Sequence, residues 1–305
     1  MGIIRVIAGS LLSLAATAAF GQGGRGSDAV EAFPSRLLDR TVKVAVHVPD
    51  PAAVARWQAS HPGWMPRLVL FLPGAYDGPK DLLKQGIYAD LRAREDAGTL
   101  APSLWLAPEH FKSWYADRKD GSFPYERFLR EELLPAEERA HPGFGGARAA
   151  RTVAGLSMGG FGALNLAART ETFGRCVALS PALVDVPFQG VGFWIRWSLE
   201  RTFPEDAAGF APWNPWKHLA GDTALVLGCG TEDKYHLAPA TEAFARRCRE
   251  AGRPPEALIL APGGHDWGFW TPTFERLAPW MAGEPLPADL GAPLRTAAPA
   301  PTLEK

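Results

Sequence analysis

Cysteine is scarce in this chain: Cys176, Cys229 and Cys248 are the whole set. An odd count permits at most one disulfide, and the spacings match no metal-ligand pattern, so neither a disulfide framework nor a zinc site organises the fold. Cys176 and Cys229 lie in apolar runs of strand character, where a buried free thiol is the ordinary outcome, and all three are read as structural. Net charge is also missing. The 32 Lys+Arg face 33 Asp+Glu, and no basic run tracks a phosphate backbone, which argues against nucleic acid as a partner. There is no H-E-x-x-H pair, no Cys/His cluster and no internal repeat, so no metal and no cofactor is expected. No apolar run reaches the roughly 20 residues of a membrane span.

What is present is a globular composition, 47% hydrophobic, behind a distinctive start. Arg5 precedes an apolar stretch over 6–20 that ends in small residues, the layout of a secretory signal peptide. Cleavage after Ala18 or after Gly21 fits the small-residue rule; the alternative is an uncleaved anchor, for which the stretch is short. With 1–21 removed, a periplasmic or secreted protein with no stable membrane association is expected. A single domain is expected over 30–282, followed by a disordered Ala/Pro-rich tail over 283–305.

Short apolar runs alternate with longer helical patterns, which predicts an α/β fold: a mostly parallel central sheet with helices on both faces. Strands are expected at 41–48, 68–72, 104–106, 152–156, 176–179, 224–227 and 258–260, the first as an edge strand with one wet face. Helices are expected at 80–97, 126–139, 158–169 and 238–251. Some 40 residues between the 176 and 224 strands break the rhythm with an aromatic-rich insertion, including Phe193-Trp194-Ile195-Arg196-Trp197 and Trp213-Asn214-Pro215-Trp216. Two uses are open for it, a pocket wall or a plug onto the body.

Gly155-Leu156-Ser157-Met158-Gly159 fits G-x-S-x-G, the turn that lifts a nucleophilic serine between a strand and a helix. The pattern alone is weak; its context carries it, with Thr152-Val153-Ala154 before and a helical run after. Gly155 and Gly159 leave room for neighbouring chain, and Gly160 and Gly162 are read as letting the helix approach the sheet. At the helix start the Met158 N–H is free to meet an oxyanion. A serine needs a base, and the base an orienting acid, in the chain order Ser, Asp or Glu, His. Glu232 and Asp233 follow the 224 strand, with Asp233 preferred, and His265 follows the 258 strand. Asp266 is too close in sequence to orient its neighbour. The loop Pro73-Gly74-Ala75-Tyr76-Asp77-Gly78 offers the Ala75 N–H as the second oxyanion donor, or is an ordinary Pro-Gly turn. Trp114, Tyr115, His236 and Trp267 fall near the same sheet edge and are candidate substrate contacts, with core packing as the alternative for the aromatics. His110 also falls near that edge.

In order along about 40–282, Leu70-Phe71-Leu72-Pro73-Gly74, Ser113-Trp114-Tyr115, Glu131-Glu132-Leu133-Leu134-Pro135, Gly155-Leu156-Ser157-Met158-Gly159-Gly160, Leu179-Ser180-Pro181, Gly230-Thr231-Glu232-Asp233 and Gly264-His265-Asp266-Trp267 resemble the esterase D-like branch of the α/β-hydrolases. That branch includes S-formylglutathione hydrolases, feruloyl and acetylxylan esterases, enterochelin esterases and mycolyltransferases. The resemblance implies an α/β-hydrolase fold, with Ser157 as nucleophile, Asp233 as acid, His265 as base, and Ala75 and Met158 as oxyanion donors. Pro73 departs from the family, whose members often carry a polar residue there. A secreted serine esterase acting on a small-molecule or carbohydrate ester is the expected function. Its rivals are an acyltransferase to a sugar or lipid hydroxyl, shielded from water by the Trp-rich insertion, and a non-catalytic binding module on the same fold.

Overall fold

The computed structural model describes residues 26–219, 221–288 and 290; the expected leader, and most of the expected tail, lie outside the described residues. Eight strands form one sheet: β1 Ser27–Ser35, β2 Arg40–Val48, β3 Arg67–Leu72, β4 Ser103–Pro108, β5 Arg151–Leu156, β6 Arg175–Leu179, β7 Ala224–Gly230 and β8 Ala257–Ala261. Their spatial order is β1-β2-β4-β3-β5-β6-β7-β8. Strand β2 runs antiparallel to both neighbours, and all other pairings are parallel. The strand order reverses about β3. Connections leaving β3 and β5 therefore diverge and leave a crevice at their carboxyl ends, where open α/β sheets carry their sites.

The period-2 alternation of strand side chains divides the core between the two faces. Val42, Val44, Val46, Leu68, Leu70, Leu72, Leu104, Leu106 and Val153 pack on one side beneath Phe128, Leu133, Phe161, Leu164 and Phe244 from the helical segments. Ala45, Val69, Phe71, Trp105, Ala154, Leu156, Val177 and Val226 pack on the other, under the helices Ile87–Asp96 and Trp267–Met281. Both faces are covered, as the apolar character of the central strands requires.

Several elements differ from expectation for local reasons. The 41–48 strand is not an edge: β1 pairs along its whole length and takes the outer place. The 80–97 helix is two helices, Asp81–Lys84 and Ile87–Asp96, separated by Gly86 at φ 76°. The 126–139 helix contains a π-helical stretch, Phe128–Leu133, between Tyr125–Arg127 and Leu134–Ala140. Helix Met158–Arg169 has the expected bounds. Beyond 282 the chain still holds to the body, where Glu284 accepts from the Ala101 N–H at 2.9 Å and Leu286 and Leu290 pack on the core. Within the insertion the aromatics divide. Phe203 and Phe210 are buried and Trp213 and Trp216 pack against the same core, whereas Phe193, Trp194 and Trp197 on helix Phe193–Thr202 are exposed.

Candidate active site

Four strands of the parallel sheet deliver the site. β3 ends before Pro73, β5 before Ser157, β7 three residues before Asp233 and β8 four residues before His265. Ser157 stands at φ 55° and ψ −116°, a strained conformation for a residue with a side chain. It is held there from both sides: its N–H donates to the Leu179 carbonyl at 2.9 Å, and its own carbonyl accepts from the Ala182 N–H at 3.0 Å. The flanking glycines are required by space. A Cβ on Gly155 would overlap the Gly159 carbonyl, and one on Gly159 would overlap the Leu72 carbonyl. Gly160 lies against Leu179 and Pro181 at the end of β6, but Gly162 makes room for the Tyr115 ring and not for the sheet.

His265 connects the serine to the acid. Its Nε2 accepts from Ser157 Oγ at 3.0 Å, and its Nδ1–H donates to Asp233 Oδ2 at 2.6 Å. Burial of Asp233 pushes its carboxyl up, but the hydrogen bond and charge of His265 and the Tyr235 N–H at 2.8 Å outweigh it and hold Asp233 below the ordinary carboxylate value. It is thus an anion fixing the imidazole tautomer that leaves Nε2 free to take a proton. Cys229 touches the same carboxylate through its thiol at 3.6 Å. Glu232 is exposed, and Asp266 caps the following helix by accepting from the Gly268 N–H at 2.9 Å.

The loop after β3 comes beside the serine. A Cβ on Gly74 would lie 3.5 Å from Ser157 Cβ. Its shape is held by side chains from the loop after β4: the Tyr115 hydroxyl donates to the Pro73 carbonyl at 2.6 Å, and His110 Nε2–H donates to the Asp77 carbonyl at 2.9 Å. The Lys112 N–H donates to His110 Nδ1 at 2.9 Å, which fixes a neutral imidazole, and burial lowers its pKa in the same sense. Met158, the first residue of its helix, has by position no intrahelical acceptor for its N–H.

Two of the expected substrate contacts are corrected. Trp114 and Tyr115 are 2% and 1% exposed, so neither offers a face to a ligand. Trp114 packs on Phe161 and donates to Ser198 of the insertion at 2.9 Å, and Tyr115 props the Pro73 loop. His236 is exposed at the start of helix Leu237–Glu250 and its N–H donates to the Asp233 carbonyl at 2.8 Å. Trp267 is half-buried and its indole N–H donates to Asp77 Oδ1 at 2.9 Å. Sequence reasoning missed the two rings that flank the imidazole: Tyr235, edge-to-face at 4.7 Å, and Trp270 at 4.9 Å. Tyr235 is 52% exposed, and its only signal in the sequence is its place two residues after Asp233. Among the described residues no group of His, Cys, Asp and Glu could hold a metal ion, and no helix is long and apolar enough to cross a membrane.

Known structures share this architecture. A ferulic acid esterase is 21% identical and superposes with a TM-score of 0.64 over 85% of this chain and 99% of its own. FphF of Staphylococcus aureus, a fluorophosphonate-binding serine hydrolase, gives 17% and 0.68 over 86% and 100%. An S-formylglutathione hydrolase from Agrobacterium tumefaciens gives 19% and 0.62 over 86% and 96%. At such identities the likeness establishes the α/β-hydrolase fold. No curated protein sequence matches the chain. The family described as "Putative esterase" matches residues 103–281, more than half of the chain, and the protein belongs to that esterase family.

Proposed function

We propose that this protein is a serine esterase that hydrolyses a carboxylic ester through an acyl-enzyme on Ser157. The observation that carries the reading is the hydrogen-bonded series Ser157 Oγ, His265, Asp233 at 3.0 and 2.6 Å. His265 Nε2 takes the hydroxyl proton as Oγ attacks the ester carbonyl carbon, and the Asp233 carboxylate stabilises the imidazolium. The N–H groups of Met158 and Ala75 receive the negative oxygen of the tetrahedral intermediate. The imidazolium then protonates the departing alcohol. Water, deprotonated by the same nitrogen, attacks the acyl carbonyl and releases the acid with Ser157 restored. The signal-like segment over 1–21 supports export, and the substrate is a small-molecule or carbohydrate ester.

Transfer of the acyl group to a sugar or lipid hydroxyl is the second reading, and product analysis with added alcohol acceptors separates the two, since hydrolysis alone gives only the free acid. Ser157→Ala should lower hydrolysis of p-nitrophenyl acetate by about 10⁴-fold or more, with melting temperature retained. Activity within tenfold of wild type would sink the reading.

A further inference from the structure

An oxyanion donor acts only when fixed within a fraction of an ångström of the developing charge, so the loop that carries Ala75 has to be held. The turn itself is closed by the Asp77 N–H donating to the Gly74 carbonyl at 3.1 Å. The Asp77 side chain folds back over that turn, and its Oδ2 occupies the space of a Gly74 Cβ. Its other oxygen, Oδ1, accepts from Trp267 Nε1–H at 2.9 Å, across 190 positions of sequence. Trp267 begins the helix that follows His265, and its ring meets Trp270 edge-to-face at 5.6 Å. Trp270 in turn packs on the imidazole and donates its own indole N–H to Ser180 at 3.1 Å. A continuous path of a carboxylate and two indoles thus joins the oxyanion loop to the base.

The sign of the charge tells what Asp77 is for. A carboxylate beside the Ala75 N–H would repel an oxyanion, so it is not there to stabilise the transition state by charge. Burial already pushes the Asp77 carboxyl up, against the Trp267 hydrogen bond, so this anion is costly to keep. What it supplies is an acceptor for the indole, Oδ1, on a side chain whose Oδ2 lies against Gly74 of the turn. We propose that the Trp267–Asp77 hydrogen bond is a tie that holds the Ala75 loop in register with His265, making Asp77 and Trp267 positioning residues for the reaction at Ser157. The proposal rests on the reading of Ser157 as the nucleophile. It also replaces substrate contact as the task of Trp267.

The test measures, on the mature chain, the rate of Ser157 modification by a fluorophosphonate and the kcat and KM for p-nitrophenyl acetate. Trp267→Phe keeps the ring on Trp270 but removes the N–H, and Asp77→Ala removes the acceptor. Each should lower kcat and the labelling rate about tenfold, the worth of one hydrogen bond, with KM changed by less than about twofold. The double variant should be no slower than the slower single, because both changes break one tie. Asp77→Asn, which keeps an oxygen for the indole, should recover most of what Asp77→Ala loses. Single variants at wild-type rates overturn the tie, as do losses that multiply in the double. So does a rise in KM with kcat intact, which would mean that Trp267 touches the substrate. A wild-type protein that the probe leaves unmodified overturns the reading of Ser157 and the tie with it, whereas a labelled wild type with any of those patterns overturns the tie alone.

Discussion

Ser157 is kept at positive φ by backbone hydrogen bonds to Leu179 and Ala182, and a residue so placed costs on the order of 1–3 kcal/mol that the rest of the fold must offset. Gly159 is where that arrangement is most exposed to substitution, because an added methyl would enter the Leu72 carbonyl of the adjacent strand. Gly159→Ala should therefore destabilise the fold by about 1–3 kcal/mol or more and displace the serine, seen as a lowered melting temperature with activity lost together. A melting temperature equal to wild type would mean that the turn is looser than described. Tyr235 carries a different expectation. An alcohol leaving Ser157 would have to come within reach of His265 Nε2, and Tyr235 sets an exposed phenol beside that imidazole. Tyr235→Ala should raise KM about threefold to tenfold for esters of ring alcohols while leaving that of the methyl ester of the same acid within about twofold. Equal effects on both esters would count against it.

These residues also show what was legible in the chain. Ser157, Asp233 and His265 stand out because each follows an apolar strand and sits among glycines, a signal local in sequence. From sequence Trp114 and Tyr115 are candidate contacts with core packing as the alternative, because aromatics after a strand serve either as a platform or as core. Their burial depends on Gly162 and on the insertion, partners 47 and 84 positions from the rings they meet, and no local pattern shows that. Asp77 was invisible as a partner of Trp267 for the same reason.

Among the elements, the outer strands are joined by a buried ionic cluster. His47 of β2 places Nδ1 at 2.5 Å from Asp28 of β1 and Nε2 at 3.0 Å from Glu95 of helix Ile87–Asp96, while Arg92 reaches Asp28 at 2.8 Å. Burial lowers the His47 pKa, but the two carboxylates more than reverse it and hold the imidazole charged. For Asp28, burial raises the pKa and the hydrogen bonds of His47 and Arg92 bring it down to about 2. The folded chain thus binds the His47 proton more tightly than the unfolded chain does. Its stabilisation is complete below the unfolded value of 6.5 and is lost as pH rises through the folded value. The Asp28 contribution is present above 3.8 and is lost as pH falls towards 2. Denaturant melts should show stability declining above pH 6.5 in the wild type, with that decline absent in a folded His47→Gln variant. The same slope in both would contradict the cluster.

Strand β1 was missed because it lacks an apolar run: Asp28, Glu31 and Pro34 interrupt it, and it is a strand through its pairing with β2. Helix Trp267–Met281 was missed because Pro272 and Pro279 lie within it, and its ten buried residues, which hold it against the second face of the sheet, are a tertiary fact. The central strands were plain from sequence, since burial on both faces leaves each a compact apolar run.

At the scale of the molecule, the sheet gathers the loops after β3, β5, β7 and β8 along one carboxyl edge, so residues scattered from Ala75 to His265 meet at a single crevice. Membership of the esterase family and the likeness to known hydrolase folds fit that placement. Formation of a covalent intermediate on Ser157 is tested most directly by mass spectrometry of the protein after exposure to a fluorophosphonate. One adduct is predicted, on the peptide that holds Ser157, with none in Ser157→Ala and slowed formation in His265→Ala. No adduct on a folded wild-type protein, or an adduct that survives Ser157→Ala, would contradict the account.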